Sequence, residues 1–132
     1  MKKLLAQSTA STSTSKDKYA MFIGRWQPWH EGHRWLIDQA LTDNKKVLLC
    51  IRDVKVDDKN PWSADQILTN LEEQLSILVN CGFVKIMIIP DIESVNIGRG
   101  IGYDVIEHLP PPDINDISAT KIREQMRQEG SL

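Results

Sequence analysis

Two histidines three residues apart stand at the end of a stiffened turn, in the segment Gly24-Arg25-Trp26-Gln27-Pro28-Trp29-His30-Glu31-Gly32-His33. The apolar run Tyr19 to Ile23 before it reads as a buried strand, and His30 to Leu41 after it carries a helical pattern. The segment therefore joins a strand to a helix. Residues three apart at a helix start project on the same side. That end of a helix also presents unpaired N–H groups and the positive end of the dipole. Two imidazole donors placed there make a site for phosphate. Gly24 lets the backbone turn and a ligand approach, and Arg25 adds a planar, permanent charge. Two such histidines in isolation are more often cap or surface residues. A metal pair is less suited, because no cysteine or further histidine lies at ligand spacing and His108 is far along the chain.

A second cluster lies near the C-terminus, Ile117-Ser118-Ala119-Thr120-Lys121-Ile122-Arg123. Ser118 can cap a helix, which leaves neighbouring N–H groups facing outward. Thr120 offers a hydroxyl and Arg123 a charge one turn on. Together they suit the outer phosphates of a nucleoside triphosphate; the plainer alternative is a capped, charged terminal helix. Arg52 and Asp53 directly follow an apolar run. The stretch Asn96 to Gly102 has three alternating glycines around Arg99, at a spacing unlike that of dinucleotide-binding loops. It reads equally as a flexible turn or as a loop in which Arg99 grips a phosphate or a base. Of the four tryptophans, Trp35 belongs to the core; Trp29 and Trp62 either stack on a ring or pack.

The elements that must position these residues alternate. Val47–Ile51 and Val84–Ile89 are further buried strands, and Tyr103–His108 reads as another, with a short one near Val95. Ser63 and Gln66 have capping-box spacing ahead of a helix carrying Ile67, Leu68, Leu71, Leu75 and Leu78, which Gly82 ends. Pro110 to Pro112 form a stiff connector before a last helix over Thr120–Gln128. Strands of continuous apolar residues alternating with helices predict an α/β fold with a doubly wound parallel sheet of about 4–5 strands. Ligands in such folds sit at the carboxyl ends of the strands. Both the His30–His33 segment and Arg52 belong at that edge.

The chain of 132 residues suits one domain, over 17–132, behind a Ser/Thr-rich stretch at 1–16 that reads as a disordered tail. A net charge of −2 provides no bulk attraction to nucleic acid or to an anionic membrane. The apolar stretch behind Lys2 and Lys3 is only Leu4, Leu5 and Ala6, too short for a signal peptide, and no run is long enough to span a bilayer. Cys50 and Cys81 read as buried reduced thiols. A cytoplasmic protein is expected.

The first segment resembles the G-R-F-x-P-x-H-x-G-H signature of HIGH-type nucleotidylyltransferases, the cytidylyltransferase-like superfamily, and is most similar to archaeal-type nicotinamide mononucleotide adenylyltransferases. The second resembles their I-S-x-T-x-I-R signature. Both occur in the family's order, and Pro61-Trp62-Ser63-Ala64-Asp65-Gln66 is similar to the helix start between them. Trp26 stands where the family has Phe, and Ala119 where it more often has Gly or Ser. The resemblance implies a Rossmann-like fold and transfer of a nucleoside monophosphate from an NTP to a phosphorylated small acceptor, with release of pyrophosphate. It implies catalytic roles for His30, His33 and Arg123, and nucleotide contacts from Gly24, Arg25, Trp26, Gln27, Gly32, Ile117, Ser118 and Thr120. Arg52, Trp62 and Arg99 are candidates for the acceptor. Mg2+ would arrive with the NTP. The resemblance favours ATP over CTP, and nicotinamide mononucleotide as acceptor. A cytidylyltransferase acting on a sugar or polyol phosphate stays open, as do sulfate as the acceptor, a non-catalytic nucleotide-binding module and a homo-oligomer.

Overall fold

The computed structural model of the protein describes residues 17–132. The Ser/Thr-rich tail expected at 1–16 lies outside the described residues. The element order is β1 (Tyr19–Gly24), α1 (Glu31–Leu41), β2 (Lys46–Asp53), α2 (Ala64–Gln74), α3 (Ser76–Asn80), β3 (Val84–Pro90), α4 (Pro112–Asn115) and α5 (Ala119–Glu129). The strands form a parallel sheet in the order β1-β2-β3. Ile23 is level with Cys50 and Cys50 with Met87, so the strands end together at one edge.

Side-chain alternation decides which face is covered. Ala20 and Phe22, then Val47, Leu49 and Ile51, then Val84, Ile86 and Ile88 share the core cluster. Against them lie Ile37 and Ala40 of α1 and Ile67 and Leu71 of α2, all buried. Crossovers between parallel neighbours are right-handed as a rule, so two crossovers in the same direction set α1 and α2 on one face. The other face stays open at Met21 (59% exposed) and Met87 (44% exposed).

The expectation of a doubly wound sheet of about 4–5 strands is therefore met only in part. The fold is α/β, its sheet is parallel and its strands alternate with helices, but three strands are present among the described residues. Neither the Val95 region nor Tyr103–His108 forms a strand. Gly100 and Gly102 take left-handed φ values of 72° and 85°, which interrupt an extended run. Val95, Tyr103, Val105, Ile106 and Leu109 stay exposed. Apolar residues mark a run that would suit a ladder, but among the described residues this run pairs with neither edge strand, β1 or β3.

Ser63 caps α2 as the spacing predicts: its hydroxyl accepts the Gln66 N–H at 3.2 Å, and the Gln66 amide oxygen accepts the Ser63 N–H at 2.8 Å. The long helix expected behind it breaks at Leu75, which leaves the helical conformation at φ −116°, ψ 23° while staying buried. Gly82, at φ 82°, ends the second piece. The connector after Pro110 contains the short α4, with Pro112 in its first turn. Cys50 is buried, and burial pushes its thiol pKa up. Cys81 is exposed, contrary to expectation, because it closes α3 at the surface rather than continuing the core. Among the described residues, no helix is long and apolar enough to cross a membrane.

Candidate functional site

The turn after β1 is held by its own buried side chains. Trp26, not Gly24, takes the left-handed conformation, at φ 55°. Its indole N–H donates to the Cys50 carbonyl at 3.0 Å, and its ring lies over Gly24, where an added Cβ would come within 2.8 Å of it. Gly24 is thus required by the ring above it rather than by backbone freedom. The amide of Gln27 makes a reciprocal pair with Trp62: it donates to the Trp62 carbonyl at 2.7 Å and accepts the Trp62 N–H at 3.1 Å. Two residues assigned to nucleotide contact are therefore buried, with their polar groups engaged inside the protein. Trp62 is half-buried against the core through this tie.

His30 and His33 meet at the start of α1. Their rings stack with centroids 3.6 Å apart, and Trp26 and Trp29 wall His33 at 4.9 and 5.3 Å. His30 is the N-cap, and its Nδ1 accepts the N–H groups of Gly32 at 3.0 Å and His33 at 3.4 Å. His33 Nδ1 accepts the His30 N–H in return, at 3.3 Å. The two histidines are thus a capping box, the role usually filled by Ser or Thr with Glu. A Cβ at Gly32 would meet the His30 ring at 2.8 Å, so the glycine between them makes room for the cap.

This capping decides their chemistry. Each Nδ1 is an acceptor, so each neutral ring carries its proton on Nε2 as a donor. Burial lowers the pKa of His30. Burial, and then the neighbouring His30, push His33 down to about 3. Near pH 7 the pair consists of neutral N–H donors, not imidazolium cations.

The second cluster reaches the first through Arg123. Ser118 caps α5 by accepting the Lys121 N–H at 3.1 Å. Arg123 is buried; its Nη1 donates to the Gln27 carbonyl at 2.5 Å, and its Nη2 to the Thr120 hydroxyl at 3.4 Å. The first bond joins residues 96 apart in sequence. Burial, Arg25 and Arg127 lower the Arg123 pKa from its ordinary value, in that order. Ile117 and Ser118 also line a shallow groove of about 390 Å³ along α5, together with Ile122 and Met126. No residue of the first segment lines it.

The remaining candidates are set apart. Arg52 pairs with Asp91 at 2.8 Å at the strand ends. Arg99 stands on the exposed glycine turn, without a hydrogen bond or ion pair among the described residues. Sequence reasoning missed the loop Asp57–Asn60 and Arg127. Arg25 donates to the Asn60 side-chain oxygen at 3.2 Å, and Arg127 donates to the Asp58 carbonyl. The one available signal was the spacing of four between Arg123 and Arg127, which places both on one side of a helix. Among the described residues, no three of His, Cys, Asp and Glu come together as a metal-holding group. The chain matches no protein-family model.

Proposed function

We propose that the protein is a nucleotidylyltransferase of the HIGH type, which transfers a nucleoside monophosphate, AMP in preference to CMP, to a phosphorylated small acceptor. The same reading takes the three-stranded sheet as the core of a Rossmann-like fold. The observation that carries it is the Arg123–Gln27 bond. It ties the two phosphate-suited clusters together, as one shared nucleotide requires.

In this reaction an acceptor phosphate oxygen attacks the α-phosphorus of the NTP. The bond from that phosphorus to the oxygen bridging to the β-phosphate breaks, and pyrophosphate leaves. Such transfer depends on positioning and on stabilising charge as it develops. The Nε2–H groups of His30 and His33 are the donors for the α- and β-phosphates, locked in direction by their caps. Ser118, Thr120 and Arg123 serve the outer phosphates, with Arg25 beside them. Mg2+ bound to the NTP would supply charge neutralisation. The test is pyrophosphate release across a panel of NTPs and phosphorylated acceptors. Turnover with ATP and one acceptor is expected. No release from any pair above a His33→Ala blank rejects the reading. Tight NTP binding without release would favour a non-catalytic nucleotide-binding module.

A further inference from the structure

We infer that Arg127, which neither motif includes, is an arm of a pyrophosphate-binding cluster that it forms with Arg25 and Arg123. The inference rests on the nucleotidylyltransferase reading and deepens it: it assigns a residue to the outer two phosphates of the NTP and to the released pyrophosphate. Arg123 and Arg127 are one turn apart on α5 and share a side. Arg25 and Arg127 both reach the same short loop, Arg25 to the Asn60 side chain at 3.2 Å and Arg127 to the Asp58 carbonyl. Arg123 binds Gln27 and Thr120 rather than the loop, but it lies near enough for the charges of Arg25, Arg127 and Asp57 to act on it, so three guanidiniums gather beside one loop.

Their partners are neutral. Among the described residues, the side chains of Arg25, Arg123 and Arg127 donate to an amide oxygen, a hydroxyl and main-chain carbonyls. The loop carries two carboxylates, Asp57 and Asp58, and among the described residues neither forms an ion pair with the three arginines. Asp57 lies near enough to act on Arg25 and Arg123 through space, but its hydrogen bonds are turned to the loop itself. One of its oxygens accepts the Lys59 N–H at 2.9 Å, the Asn60 N–H at 2.8 Å and the Asn60 amide at 2.9 Å. Gathered like charges oppose one another, and a polyvalent anion relieves that repulsion. Guanidinium forks match phosphate oxygens in pairs. Arg25 and Arg127 are exposed, so both can turn from the loop to a ligand, while Arg123, buried and bonded to Gln27 and Thr120, contributes its charge to the cluster from a fixed position. A monophosphate lacks the outer groups that would span the cluster.

The test uses Arg127→Gln, which removes the charge but keeps an amide donor for the Asp58 carbonyl, and Arg127→Lys, which keeps the charge. Titration calorimetry measures inorganic pyrophosphate, ATP and AMP on the whole chain, with the unfolding temperature as a control for the fold. Arg127→Gln should weaken pyrophosphate and ATP roughly tenfold and AMP hardly at all, and Arg127→Lys should recover part of the loss. Unchanged pyrophosphate affinity in Arg127→Gln overturns the inference alone, provided wild type binds pyrophosphate and ATP. Equal losses for ATP and AMP also overturn it, since they would mean that Arg127 only shapes the loop. A wild-type protein that binds neither ATP nor pyrophosphate overturns both this inference and the nucleotidylyltransferase reading.

Discussion

At the scale of single residues, the informative pair is His30 and His33. Their spacing of three was legible in the sequence, and so was their place at a helix start. Their protonation was not, because it depends on which atoms cap the helix and on how deeply the rings sit. The capping box consumes both Nδ1 atoms and leaves both Nε2–H groups as aimed donors. A donor held in place before charge develops is worth more than one that must reorient. His33→Ala should therefore lower kcat by roughly 10²–10³, the loss that follows removal of one preorganised donor. Steady-state kinetics on a variant that keeps its circular dichroism spectrum checks this. A kcat within twofold or so of wild type would remove His33 from the mechanism.

At the scale of elements, the site is a junction between a turn and a distant helix. Gln27 belongs to both ties: its side chain pairs with Trp62, and its carbonyl accepts from Arg123. The turn after β1 is thus fixed from two directions, through the start of α2 and through α5. Arg123→Ala would leave the Gln27 carbonyl without this partner and a gap where the buried guanidinium stood. It should lower the unfolding free energy by about 1.5–3 kcal/mol, the usual contribution of a hydrogen bond to a charged group. Urea denaturation measures this. A change below about 0.5 kcal/mol would show that the bond does not hold the two elements together. The spacing of Ser63 and Gln66 foretold the α2 cap because such a box is local. The partner of Gln27 was hidden, since nothing within a few residues of it names Trp62.

At the scale of the whole molecule, burying neutral histidines links stability to acid. His33 has a pKa of about 3 when folded against an ordinary 6.5, so between these values the unfolded chain takes a proton that the folded chain refuses. This contribution is complete above about pH 6.5 and is lost as the pH falls toward 3. His30, also lowered, acts in the same direction. Asp57 adds to it: hydrogen bonds from Asn60 hold its carboxyl below the usual range, and that stabilisation is lost as the carboxyl is protonated. Unfolding temperature should fall as pH drops from 7 to 4, and His33→Gln, which cannot titrate, should show a shallower fall. The same slope in both proteins would mean that His33 is not protonated on unfolding.

The sequence by itself determined the strands β1, β2 and β3, the helices α1 and α5, the α2 cap, and the spacing within the His30–His33 and Ile117–Arg123 segments. Each of these rests on apolar periodicity or on a spacing within one turn, and such signals are local. Tertiary structure decided the rest. It set Trp26 and Gln27 inside the turn, since burial depends on what lies above a residue. It broke the second helix at Leu75 and left 91–111 without a strand: the left-handed Gly100 and Gly102 interrupt the run, and it pairs with neither edge of the sheet. It also brought Arg25 and Arg127 to one loop and Arg123 to the Gln27 carbonyl, because only folding closes a separation of 96 residues.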